Sequence, residues 1–424
     1  MKRFASTMLV AAMCGCGGGG GSSTTPAETE AAKTVGGEAI RTAGGEAVLK
    51  KAHDRWKDAM AEFRKNEAEG WTPAACNGTA KAFERAAGAQ DGGFAEAQYM
   101  AGLSLAKCND EGAYDKYETA LKEDSTFCRA RVALGLRDLE QGRTAKARAA
   151  FERAVKDDPQ CTSGYTNLAI IQRGEGGAQE EEALKNLRRA LAIDSDYLAA
   201  FNQMALLHFE RGKRGKEAQL DLAEIVCRQA QLIDPEYAPI YNTWGLIKVE
   251  KGDIIAALRF FEQALSLDPT LFEAQMNFGE VTISFRGYED GRKAFARAVE
   301  LRPEDYDAII GLGTSLRGLG RFAEAQTQYE RAKQLDGKRP EAYFNLGVLY
   351  QDYMSGSVPD LQKAKGFFTE FLKRAGSRAE FRSSVQDVNT RCAQSGGKKR
   401  GAPKCRPGRL QNINISIEAM QMAG

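Results

Sequence analysis

Glycine returns every 34 residues in the second half of this 424-residue chain, at Gly245, Gly279, Gly313 and Gly347. Around it the chain repeats itself. "WGLIKVEKGDIIAALRFFEQALSLDP" starts at Trp244, "FGEVTISFRGYEDGRKAFARAVELRP" at Phe278 and "LGTSLRGLGRFAEAQTQYERAKQLDG" at Leu312. An earlier copy, "LGLRDLEQGRTAKARAAFERAVKDDP", starts at Leu134. A period of this length is the signature of stacked helical hairpins, each burying its apolar face against its neighbours. The residue types agree. One copy carries Leu134-Gly135, Ala147, Phe151, Ala154 and Pro159; the next clean copy carries Trp244-Gly245, Ala257, Phe261, Ala264 and Pro269. The small residues let two antiparallel helices approach closely, and the aromatics fill the space between neighbouring pairs. Proline ends the second helix because it has no N–H to continue the ladder. The expected fold is all-α.

A bulky-small pair in helix A, then Ala, aromatic and Ala in helix B, closed by Pro, resembles the tetratricopeptide repeat (TPR). The resemblance covers roughly residues 73–393. Eight repeats start near residues 94, 128, 162, 198, 238, 272, 306 and 340, the first with Ser125 in the proline slot. Three carry insertions, around Gly174–Ala178, Arg211–Gln219 and Ser355–Asp360. The resulting plan is a superhelical solenoid with caps. Residues 1–15 read as a signal peptide, 16–46 as a lipidated flexible tether and 47–93 as N-terminal helices, in which 73–90 complete a cap pair. The array spans 94–377, a capping helix 378–395 and a basic tail 396–424.

The first residues, "MKRFASTMLVAAMCGCGGGGG", set the compartment. Phe4 to Met13 is ten residues of mostly apolar chain behind Lys2 and Arg3. A bilayer-spanning helix needs about 20, whereas a secretory signal needs only a short apolar region behind a basic start. The Cys-Gly-Cys that follows resembles a bacterial lipobox. Small Gly15 precedes Cys16, so Cys16 is the expected lipidation site and Cys14 belongs to the cleaved peptide. The other reading is a plain secretory signal cut near Gly15. In bacterial lipoproteins an Asp after the cysteine favours inner-membrane retention; Gly17 stands here, which favours the outer membrane. The Gly-, Ser- and Thr-rich stretch that follows has the composition of a flexible chain, reaching roughly 30 Å for about 30 residues.

Composition excludes several chemistries. Removal of residues 1–15 leaves 57 basic and 57 acidic residues, so bulk nucleic-acid binding is not expected. Only two histidines, His53 and His208, are present, too few for a His-based zinc site or a Ser-His-Asp triad to be expected. Phosphate-loop and HExxH motifs are absent, and GxGxxG occurs only within the glycine run at Gly15 to Gly20. No catalytic residue, metal, cofactor or small-molecule substrate is expected. Positive charge gathers at Lys398, Lys399, Arg400, Lys404, Arg406 and Arg409, and the rest of the mature chain is net negative by six.

The TPR resemblance makes further assignments. Its register brings Cys76 to Cys108 and Cys128 to Cys161 as candidate disulfides, which suits an oxidising compartment. Cys392 and Cys405 flank the basic tail as a third candidate pair. Cys227 falls in an aromatic slot of helix B and reads as a buried thiol. His208 occupies a core slot. The groove positions of helix A are Ile170, Arg173, Asn202, Leu206, Phe209, Asn242, Leu246, Val249, Met276 and Ile283. Each either lines a partner-binding groove or packs between repeats. This largely apolar set does not resemble the Lys/Asn clamp of chaperone-binding TPRs, and it suits an amphipathic or extended protein segment. The tail, with Leu410, Ile413, Ile415 and Ile417, has four fates: folding back into the groove, pairing with a partner, meeting anionic lipid, or staying solvated.

Lipobox, tether and capped repeats together resemble the TPR lipoproteins of myxobacterial gliding motility machinery. That resemblance implies a non-catalytic scaffold at the periplasmic face of the outer membrane, docking periplasmic and outer-membrane proteins. Two alternatives remain: a pilotin-like factor for a secretin or pilus machine, and an adaptor of a peptidoglycan hydrolase.

Overall fold

The computed structural model describes residues 32–34, 37–41, 47–390 and 407–423. Cys16, Cys392, Cys405 and most of the basic cluster lie outside them. The chain divides into two compact units, one running to Tyr237 and one from Ala238.

The N-terminal unit opens with a small antiparallel sheet: β1 (Ala32–Thr34), β2 (Gly37–Arg41) and β3 (Ala47–Leu49), with Ala32 opposite Ala39 and Ile40 opposite Val48. These short strands are the one non-helical element among the described residues of a nearly all-helical fold, and β1 and β2 fall within the stretch expected to be a tether. Averaged composition hides the short "GEAIR" and "AVL" segments, set apart by glycine pairs. The sheet is anchored to the helices. Val48 is fully buried with Ala52, Ala86 and Phe94, and the Leu49 N–H donates to Gln90 Oε1 at 2.8 Å.

Helices α1 (Lys50–Glu69) and α2 (Pro73–Ala87) form the first pair. Four repeat pairs follow: α3 (Ala95–Ala106) with α4 (Gly112–Glu123), α5 (Cys128–Glu140) with α6 (Thr144–Asp157), α7 (Thr162–Glu175) with α8 (Gln179–Ile193), and α9 (Leu198–Lys213) with α10 (Ala218–Ile233). The C-terminal unit holds four more: α11 (Ala238–Glu250) with α12 (Ile254–Leu267), α13 (Phe272–Ser284) with α14 (Tyr288–Leu301), α15 (Tyr306–Gly318) with α16 (Phe322–Leu335), and α17 (Glu341–Asp352) with α18 (Val358–Ala375). A 3-10 turn, α19 (Arg382–Asn389) and α20 (Arg409–Ala423) close it. Some inserted residues become helix: α9 runs to Lys213 and α18 has 18 residues.

Most of the hairpins are built on one close approach; α7–α8 and α9–α10 instead carry Ala169 with Leu187 and Ala205 with Cys227 at the equivalent positions. The glycine of the first helix meets the aromatic ring of the second in Gly135–Phe151, Gly279–Phe295, Gly313–Tyr329 and Gly347–Phe368, where a Cβ would stand 2.5–2.8 Å from ring carbon. The aromatics are fully buried, and the core runs as a series of local clusters along the repeats. The turn between repeats rests on an aspartate more regularly than on proline. Asp124, Asp158, Asp194, Asp234, Asp268 and Asp336 each accept, through Oδ1, the backbone N–H two residues on, at 2.8–3.1 Å. This Asx turn stops the second helix with a local hydrogen bond that competes with the helical one. Arg302 holds the equivalent position in the sixth repeat. There it instead stacks on Phe272, 3.8 Å from the ring centroid, and pairs with Glu273 at 3.0 Å.

The tail is not a solvated extension over residues 407–423. It forms α20, which packs on α18 and α19 with Leu410, Ile413 and Ile417 in the terminal core. A second cap helix is needed because the last repeat has no successor to cover its apolar face.

Candidate partner-binding surface

Within each unit the first helices of successive repeats lie side by side: α5, α7 and α9 in one, α11, α13, α15 and α17 in the other. Their shared face is where the groove residues were expected. In the N-terminal unit Ile170, Leu206 and Phe209 are buried, and Asn202 is half-buried. Arg173 is buried too, ion-paired with Glu210 of α9. In the C-terminal unit Asn242 and Leu246 are buried, with Leu246 only 1% exposed, while Val249, Met276 and Ile283 are half-buried. Asn242 Oδ1 accepts from Asn277 Nδ2 at 2.9 Å. Six of the ten expected groove residues are therefore buried, and two of them, Arg173 and Asn242, bond to the neighbouring first helix. Asn202, Val249, Met276 and Ile283 keep accessible surface.

Two residues that sequence reasoning missed stand on these first helices. Asn167 on α7 and Gln203 on α9 hold the same place in successive repeats. Both are at least nine-tenths buried, and Asn167 Oδ1 and Gln203 Oε1 have no hydrogen-bond partner. A buried acceptor left unpaired carries a desolvation cost of about 1–3 kcal/mol. Their 36-residue spacing was the available signal.

The edge of this face carries a compact ion network from the α7–α8 and α9–α10 connections. Glu180 receives Arg211 at 3.1 Å and Arg214 at 2.6 Å, and Arg211 also reaches Glu181 at 2.8 Å. Burial pushes the Glu180 carboxyl up, but the hydrogen bonds from Arg214 and Arg211 outweigh it and hold the pKa below the usual carboxylate range. Glu210 goes the other way, because burial raises it more than Arg173 lowers it. His208 is half-buried, its Nδ1 2.8 Å from Gln219 Oε1, and burial lowers its pKa. His53 stacks on Trp56.

The N-terminal unit is stapled twice. Disulfides join Cys76 to Cys108 and Cys128 to Cys161, with Cα–Cα distances of 6.3 and 5.8 Å. Each ties consecutive repeat elements together. Cys161 also caps α7, its Sγ accepting the Gly164 N–H at 3.3 Å. Cys227 is a free, fully buried thiol whose pKa burial pushes far up. Among the described residues no cluster of His, Cys, Asp or Glu could hold a metal ion, and no helix is long and apolar enough to cross a membrane.

Eight helical hairpins, their first helices side by side within each unit, define a helical-repeat protein of the protein-interaction class. Residues 132–197 and 238–271 match models of the tetratricopeptide repeat, and residues 313–352 match a TPR-repeat model. Over these segments the chain carries tetratricopeptide repeats. It is 25% identical over 269 residues to Superkiller complex protein 3 of Homo sapiens, a match covering 61% of this chain and 17% of that protein. It is 24% identical to BBSome complex member BBS4 of Bos taurus, over 56% of this chain and 44% of that one. With the peroxisomal targeting signal receptor of Saccharomyces cerevisiae the identity is 25%, over 59% of this chain and 39% of the receptor. The matches thus span less than half of each of these three relatives. Among solved structures, a TPR protein of Thermus thermophilus is 25% identical with a TM-score of 0.41, covering 45% of this chain and 99% of that one.

Proposed function

We propose that the chain is a non-catalytic scaffold, anchored by lipid at Cys16 to the periplasmic face of the outer membrane, that holds protein partners on its first-helix face. The observation that carries the docking part is the half-buried apolar surface that Met276 and Ile283 keep on the first helices of the C-terminal unit. A partner segment in extended or amphipathic form offers apolar side chains to such surface. The two disulfides support an oxidising compartment, and the Gly15-Cys16 boundary supports the lipid anchor. Service in an envelope-spanning gliding motility complex is the particular role we assign, on the resemblance of the lipobox, tether and capped repeats taken together.

The anchor and the role are tested separately. Cys16→Ser should move the protein from membranes to the soluble periplasmic fraction; retention on the membrane rejects the anchor. Crosslinking in the native cell, followed by mass spectrometry of the outer-membrane fraction, should recover β-barrel and periplasmic motility proteins together. Recovery of a secretin or a peptidoglycan hydrolase instead would reassign the machine.

A further inference from the structure

Helix α20 is held at one end only. Its first turn is locked by Arg409, whose Nη1 lies 2.9 Å from Asp352 Oδ2 and 3.0 Å from Gln351 Oε1, and whose Nε lies 2.7 Å from Asp387 Oδ2. These partners come from the end of α17 and from α19. Gly408 fits against α19 so closely that a Cβ would stand 2.7 Å from Thr390 N, and its N–H donates to Thr390 O at 2.8 Å. Behind the arginine, Ile413 is fully buried, and Leu410 and Ile417 join it against Phe368, Phe371 and Val388. Beyond Ile417 the helix leaves the surface. Residues 418–422 are exposed, and so is Ile415, with Met422 83% and Ile415 47% accessible.

The receiving face is thus specific: an acidic notch, Asp352 and Asp387, beside a hollow of fully buried phenylalanines. It fits a helix that starts with arginine and carries apolar residues one, four and eight positions later. The connection from α19 is residues 391–406, a length of chain that extends to roughly 55 Å. Receiver and helix belong to the same chain, so a second copy offers an identical notch to an identical helix. We propose that this face is a receptor for an arginine-led amphipathic helix, and that two copies of the chain exchange α20 through it. Exchange of an identical element is a low-cost route to a dimer, because every contact made in trans already exists in cis.

Complementary charge reversal in the full chain tests this. One variant carries Arg409→Glu; the other carries Asp352→Arg with Asp387→Arg. Alone, each has mismatched its helix with its own notch and should run at monomer mass by light scattering. Mixed in equal amounts, each helix matches the other's notch, and the apparent mass should double. All three substitutions placed in one chain restore the match between helix and notch, and that chain should return to the dimer mass that the proposal assigns to the unsubstituted protein. A mixture that stays at monomer mass while both variants remain folded by circular dichroism overturns the exchange. Should a variant fail to fold, the unsubstituted chain is titrated into a fluorescent peptide of residues 407–423. Its anisotropy should rise with chain concentration while the Ile413→Asp peptide stays free; no difference between the two peptides also overturns the proposal.

Discussion

Gly245 lies against the ring of Phe261 with no room for a side chain: a Cβ on it would stand 2.5 Å from Cε1 and 2.7 Å from Cδ1. The contact joins α11 to α12, and Phe261 is fully buried. A methyl group here would gain helix propensity of up to about 1 kcal/mol over glycine. It would also force the ring off its packed position. Gly245→Val adds more volume and should destabilise the protein by about 1–3 kcal/mol through overpacking. Urea denaturation reads this directly, and Phe261→Leu in the same chain should recover part of the loss.

Arg286 has φ of +65°. Gly142, Gly252 and Gly320 hold the same place in the helical hairpins of other repeats, with φ of +71° to +79°. A side chain in this region costs roughly 1–2 kcal/mol. Arg286→Gly should therefore raise stability by about 1 kcal/mol, the opposite sign to most surface substitutions. A thermal midpoint at or below the parent's would show that Arg286 makes a compensating contact.

The two disulfides close segments of similar length, with separations of 32 and 33 residues. Replacing either pair by alanine should cost about 2–4 kcal/mol, mainly by releasing the unfolded chain. Peptide mapping without reductant should recover Cys76 linked to Cys108 and Cys128 linked to Cys161. Under the same native conditions Cys227 should resist alkylation, because it is buried and its thiolate is disfavoured.

Glu180 makes stability depend on acid in a defined sense. Its folded pKa lies below its unfolded one, held down by Arg214 and Arg211 against the opposing effect of burial. The unfolded chain therefore binds its proton first as pH falls. The stabilisation is complete above the ordinary carboxylate range and is lost as pH drops through the depressed folded value. Glu180→Gln should lower the melting temperature at neutral pH, and the gap to the parent should shrink by about pH 3. A gap that widens in acid would contradict the ion network.

The hairpins are legible in the sequence because the same contact recurs. Gly245 with Phe261 and Gly313 with Tyr329 repeat one spacing, and a repeated spacing survives the noise of any single copy. The side-by-side packing of first helices is less legible. Leu206 and Leu246 occupy positions that other TPRs use for ligands, yet they are 8% and 1% exposed. Pattern alone does not tell a groove wall from a seam when both want leucine. The sheet at β1–β3 is hidden for a different reason: short strands between glycine pairs have the average composition of a tether. Helix α20 escapes notice because its partners, Asp352 and Asp387, lie 57 and 22 residues from Arg409.

The account rests most on the claim that the first-helix face holds protein partners. The measurement is in-cell crosslinking of the full chain carrying Met276→Glu and Ile283→Glu, compared with the unsubstituted chain by quantitative mass spectrometry. Both residues are half-buried, so the melting temperature should hold within a few degrees, while Leu246→Glu should unfold the array. The account predicts that the crosslinked partners fall away in the folded double variant. An unchanged set of partners on a folded variant would contradict it.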